Sequence, residues 1–211
     1  MIQEQFQALV ASYTNNQQLT KQLVSEIETA YSQPERHFHN LSHLEQMNAV
    51  LEPVRSQVED WETLLLSVVY HDFVYDVVEY VTDNNNEDKS ALKAEEFLKS
   101  IGFPLEKIER CQQHILATKK HRLSADNDTN FLTDADLSIL GQPWEIYDVY
   151  RKNIRLEYSI FPDSIFHAGR TKVLNRFLQM ERLFKTDFFY NHYETAAKEN
   201  ISRELEIISF A

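Results

Sequence analysis

Three short strings carry the residues that can do chemistry. His39 and His43 stand four apart, so on a helix both imidazoles share one face and can reach one site. An isolated H-x-x-x-H is also what a pair of surface or hydrogen-bonded histidines gives at the mouth of a helix. His71-Asp72 follows the apolar run at residues 64–70, where a carboxylate without compensation is costly. A cation compensates it, and so does a salt bridge to His71 or to a core arginine. Imidazole nitrogen with carboxylate oxygen suits Mn, Fe, Zn, Ni or Co better than Ca. The third string, residues 133–141, sets Asp134 and Asp136 among apolar neighbours. Asp136 shares a helical stripe with Ile139 and Leu140 and is expected to turn inward, with Asp134 about 200° away around the axis. Either carboxylate could instead cap a helix.

Other residues could support such a centre. Glu87, after three asparagines, can fix an attacking water or a second ion, or simply favour a helix N-terminus. Asp76, one turn after Asp72, can orient a ligand by a hydrogen bond, as can Asp134. His114 and His121 are seven apart and are expected to share a face, as two further metal ligands or as phosphate-binding groups. Lys119, Lys120 and Arg122 form the most basic stretch, which also fits a solvated helix end. Arg170 suits a bidentate phosphate clamp and equally a pairing with a core carboxylate such as Glu157. Cys111 reads as core.

The elements that must position these residues read as helices. A Ser42-x-x-Glu45 capping box predicts a helix over about 42–57, and Asp60 caps a second, apolar on nearly all sides and ending near Tyr75. Helical spacing continues over 87–101, stopped by Gly102, and from Pro104 to about 119. A short helix over 131–140 closes at Gly141. Pro143 and Pro162 open two more, and a last one spans about 193–208. Residues 82–86 read as a loop.

Composition bounds the reading. Three glycines and five prolines in 211 residues are too few for the tight turns of a sandwich, a barrel or a doubly wound sheet, so an all-α bundle in a single domain, 1–211, is expected. The longest apolar run falls far short of the roughly 20 residues that span a bilayer. The N-terminus lacks the basic start and cleavage site of a signal peptide, and one cysteine fits a reducing compartment, so a cytoplasmic location is expected. A net charge of −12 repels duplex nucleic acid and anionic lipid. Any phosphate-bearing substrate then needs a local positive centre, which a bound cation supplies.

In this order, H-x-x-x-H, then His-Asp, then an inward Asp, the residues resemble the HD-domain superfamily of metal-dependent phosphohydrolases. The strings at 36–43, 70–76, 86–91 and 133–141 are most similar to a bacterial branch of small predicted HD phosphohydrolases, over about 34–184. The resemblance implies an HD-type helical bundle. It also implies one divalent ion (Mn, Fe, Ni, Co, Zn or Mg) on His43, His71, Asp72 and Asp136, and it makes His39 the proton donor to the leaving oxygen. A cation with open positions lowers the pKa of a bound water and offsets charge on phosphate oxygens. The expected substrate is a phosphate ester or anhydride of a small nucleotide-like metabolite. Two other readings stand beside it: a di-iron oxygenase using His114 and His121 as additional ligands, and a non-catalytic module that senses a nucleotide. A second ion and a homodimer are compatible with all three.

Overall fold

The computed structural model describes residues 1–78 and 85–210, so residues 82–84 of the expected loop lie outside it. The chain is all-α, with no strand among the described residues. It divides into two compact units, Met1–Thr133 and Asp134–Ala211. Among the described residues no helix is long and apolar enough to cross a membrane.

The first unit contains α1 (Ile2–Tyr13), α2 (Gln17–Tyr31), α3 (Leu41–Leu51), α4 (Trp61–Tyr70), α5 (Asn86–Ser100), α6 (Leu105–Thr118) and most of α7 (Asn127–Leu137). The sequence reading assigns nothing to α1 and α2. Both are amphipathic, burying Ile2, Phe6 and Val10, and Leu23 and Ile27, against the bundle. α4 is the central element. Every residue from 63 to 70 is buried, and α1, α3, α5 and α6 all pack on it. Phe6 meets Tyr70 and stacks on Phe97, and the Tyr31 hydroxyl donates to the Val69 carbonyl at 2.9 Å.

The helix ends show which local signals hold. Asp60 caps α4, accepting from the Thr63 amide at 3.2 Å and the Thr63 hydroxyl at 2.7 Å. Gly102, at φ +73°, ends α5 with the Phe103 amide reaching back to the Leu98 carbonyl, a left-handed stop that disfavours a side chain. The Ser42 capping box is a correction. α3 starts one residue before Ser42, Asn40 is the cap through its Oδ1 to the Ser42 amide (2.9 Å), and Glu45 instead holds the Ile2 amide of α1 at 2.9 Å.

Cys111 is wholly buried on α6 with its Sγ 3.3 Å from Ser67 Oγ, and burial pushes its thiol up to about 12 despite that contact. The thiolate is the reactive form. The folded protein at pH 8 is therefore expected to consume no Ellman reagent, with one thiol appearing on addition of denaturant. Reaction of the native chain at the rate of a free cysteine would refute this burial.

The second unit holds a 3-10 turn (Ser138–Gly141), α8 (Trp144–Glu157), α9 (Asp163–Leu178) and α10 (Asp187–Ser209). Gly141 lies against α10: a Cβ there would meet the backbone of Tyr193 at 2.6 Å. The Asn200 amide donates to the Leu140 and Gln142 carbonyls, both at 2.8 Å, and ties the turn to α10. The segment entering α10 is held by two buried carboxylates. Glu194 accepts from the amides of Leu183 and Phe184, and Asp134 from those of Lys185 and Thr186.

Candidate metal centre

α4 ends at Tyr70, and His71-Asp72 lies in the turn beyond it rather than inside a helix running to Tyr75. His71 keeps helical dihedrals and its amide still bonds the Ser67 carbonyl, so the two side chains leave the end of α4 in neighbouring directions and meet at their tips. His71 Nε2 and Asp72 Oδ2 stand 3.0 Å apart. His43, on the first turn of α3, brings its Nε2 to 3.3 Å from His71 Nε2 and 3.9 Å from Asp72 Oδ2. All three donor atoms fall within 4.8 Å of one another. Ligands about 2.0–2.2 Å from one ion lie roughly 3.0–3.5 Å apart, a range that two of these three separations meet and the third, at 3.9 Å, exceeds by a few tenths of an ångström.

The tautomer of His71 supports that use. Its Nδ1 is 2.8 Å from the Val68 carbonyl, which can only accept, so Nδ1 carries a proton and, in the neutral ring, the Nε2 lone pair faces His43 and Asp72. A ligating imidazole is usually fixed in this way.

The cluster has a floor and a rim. His43 and His71 are buried, at 2% and 1% exposure, whereas Asp72 at 19% and His39 at 20% meet solvent. His39 lies before α3 and not on it, so it does not share a helix face with His43 as the spacing suggested. Its Nε2 nevertheless stands 4.0 Å from Asp72 Oδ2, and its ring stacks on Tyr75 with centroids 4.3 Å apart. Glu87, on the first turn of α5, is half-buried, and its Oε2 is buried with no hydrogen-bond partner. Burial, then the nearby charge of Asp72, raises its carboxyl above the usual range, against its own backbone amide and Lys119. The Asp72 carboxylate beside two imidazoles is a donor set that favours a cation.

The other expected site residues are placed as follows. Asp136 belongs to the second unit, partly buried near the end of α7, where its charge acts on Lys185 and Tyr150. Asp134 is the more buried of the two, reversing the expected order. It accepts from the amides of Lys185 (2.9 Å) and Thr186 (2.7 Å) and from the Thr186 hydroxyl (2.8 Å), which leaves it a structural clasp rather than a group that orients a ligand. Asp76 is exposed, with Oδ1 accepting from the Val78 amide at 2.8 Å. Lys119 pairs with Asp88 at 2.7 Å.

Three expectations need correction. His114 is fully buried with its Nε2 on Asp126 Oδ2 (2.8 Å) and its Nδ1 3.0 Å from Ser67 Oγ, so both ring nitrogens are taken within the core. His121 lies past the end of α6 at φ +50°, and the seven-residue face shared with His114 does not form. Arg170 is paired with a core carboxylate, but with Glu204 and not Glu157. It is locked to Glu204 by two bonds, Nε to Oε1 at 2.8 Å and Nη2 to Oε2 at 3.0 Å, in the interior of the second unit.

A second group of carboxylates, Glu59, Asp126 and Asp128, also gathers its oxygens, but Arg110 Nη2 sits among them at 3.2, 2.6 and 3.1 Å. A guanidinium already occupies the point where their oxygens converge and offsets part of their charge. Sequence reasoning gave no role to Arg36, which is buried and donates to the carbonyls of His39 (3.2 Å), Asp72 (2.7 Å) and Phe73 (2.9 Å). The signal available was an arginine three residues ahead of His39. No protein-family model, curated protein or solved structure matches the chain.

Proposed function

We propose that the chain is a metal-dependent phosphohydrolase acting on a phosphate ester or anhydride of a small, nucleotide-like metabolite, in the manner of the HD-domain enzymes that its motifs resemble. The observation that carries this reading is the convergence of His43, His71 and Asp72 on one point, with the His71 lone pair turned toward it by Val68. A divalent ion bound there supplies a Lewis acid for phosphate oxygens and a water acidified toward neutral pH. His43 and His71 form the buried side, and the Asp72 carboxylate supplies negative charge on the exposed side. His39, at the solvent edge, is positioned to donate a proton to a leaving alkoxide, a role suited to imidazole near neutral pH. Glu87 brings a second carboxyl for orienting a water. Of the two additional ligands that an oxygenase would draw from His114 and His121, His114 is committed to Asp126 and Ser67, which favours hydrolysis.

The test is turnover of simple phosphomonoesters, phosphodiesters and nucleotides with Mn, Co, Ni, Zn or Mg added to the demetallated protein. Substitution His39→Gln is expected to lower kcat by about 10²–10⁴-fold while metal binding stays unchanged. Stoichiometric metal binding without turnover of any phosphate compound would replace the enzyme reading with a sensing module.

A further inference from the structure

We infer that Arg36 is the positioning residue of this centre, a strut that fixes the His39 segment against the His71-Asp72 turn. The second part of its test rests on the metal reading above. Two stretches of backbone carry the cluster's exposed rim: residues 37–40, ahead of α3, and residues 71–73, beyond α4. Neither is helical, so neither is held by an internal hydrogen-bond ladder. One guanidinium spans both. Arg36 Nη1 donates to the His39 carbonyl at 3.2 Å and the Asp72 carbonyl at 2.7 Å, and Nη2 donates to the Phe73 carbonyl at 2.9 Å. Arg36 is 5% exposed, and its Cζ lies over two rings, 4.9 Å from the Tyr31 centroid and 5.3 Å from that of Tyr75. Tyr75 in turn stacks on His39. The Asn40 side chain closes the loop from the other side, donating to the carbonyls of Arg36 and His37, both at 3.2 Å.

The chemistry requires arginine. A planar fork with five donors in fixed directions can satisfy three carbonyls in two segments, whereas a lysine ammonium is a point charge with three donors on a flexible stem. The carbonyls of residues 72 and 73 lie just beyond the C-terminus of α4, where a cation is also favoured by the helix dipole.

Charge and geometry predict opposite results, which makes the inference decidable. Removing a positive charge next to a cation site should tighten cation binding if electrostatics alone operate. Losing the strut should weaken it, because Asp72 and His39 no longer hold their places. The experiment compares the parent with Arg36→Lys and Arg36→Gln in two measurements. In hydrogen exchange without metal, amides of residues 37–40 and 71–74 are expected to exchange at least about 10-fold faster in both variants, with α5 and α6 unchanged. No change, or a rise throughout the first unit, would overturn the inference. In Co²⁺ titrations followed by visible absorption and calorimetry, both variants are expected to bind about 10–100-fold more weakly with an altered spectrum. Arg36→Gln binding as tightly as the parent, or more tightly, with the parent's spectrum would overturn it and leave the metal reading intact. A parent that binds no Co²⁺ would instead refute the metal reading, and exchange alone would then decide the role of Arg36.

Discussion

Asp72→Ala is expected to lose divalent-metal binding by more than about 100-fold, with hydrolytic activity falling in proportion, while its helical content and melting temperature stay near those of the parent. A carboxylate supplies formal negative charge at the rim, and without it the two imidazoles form a neutral pair of ligands with far weaker hold on a dication. Loss of a residue that merely orients a ligand costs about 10–100-fold, so loss of a ligand should cost more. Stability should be spared because the carboxylate is partly solvated and its removal relieves repulsion with Glu87. The alternative role for Asp72, a salt-bridge partner of His71, makes the opposite pair of predictions: stability falls and metal content is untouched. Elemental analysis and calorimetry of parent and variant, matched by circular dichroism, separate the two. Equal metal in both proteins, or none in either after reloading, would remove Asp72 from the site. The same titration on Asp136→Ala tests the fourth ligand implied by the HD resemblance.

Arg170→Met is expected to destabilise the protein by about 3–5 kcal/mol, because it leaves the Glu204 carboxylate buried without its cation. Arg170 and Glu204 are 8% and 4% exposed, and Glu204 also accepts from the Tyr147 hydroxyl, so the remaining charge has no route to water. Burial opposes the charge on Arg170 itself, yet Tyr150 and Glu204 overcome it and hold its pKa well above the ordinary value. Replacing both partners by apolar residues, Arg170→Met with Glu204→Leu, should recover most of the loss, since a buried pair offsets its own desolvation only while complete. Urea denaturation of the two single variants and the double variant, followed by circular dichroism and tryptophan fluorescence, reads the coupling. A single variant as stable as the parent, with only its KM for phosphate compounds raised, would restore the phosphate-clamp role that the structure argues against.

The helical class and the position of most helices were legible in the chain for local reasons, whereas the grouping of His43 with His71-Asp72 was an implication of the HD resemblance and not of spacing. Scarce glycine excludes turn-rich folds, apolar spacing gives helices, and a carboxylate beside an apolar run demands compensation. Local signals failed where a competing partner lay far along the sequence. Glu45 matches a capping box, yet it binds the Ile2 amide 43 residues away. The stripe that should turn Asp136 inward puts Asp134 deeper, because the amides of residues 185 and 186 come to meet it. His114 has ligand chemistry but is neutralised by Asp126 and Ser67, and Arg170 has clamp chemistry but is taken by Glu204. The sequence by itself determined which side chains could bind a cation or a phosphate, since that is a property of residue type and short spacing. Only the tertiary structure decided which of them are still available to do so. A buried polar group must find a partner wherever the fold supplies one, and that choice depends on contacts tens of residues apart that no local pattern encodes.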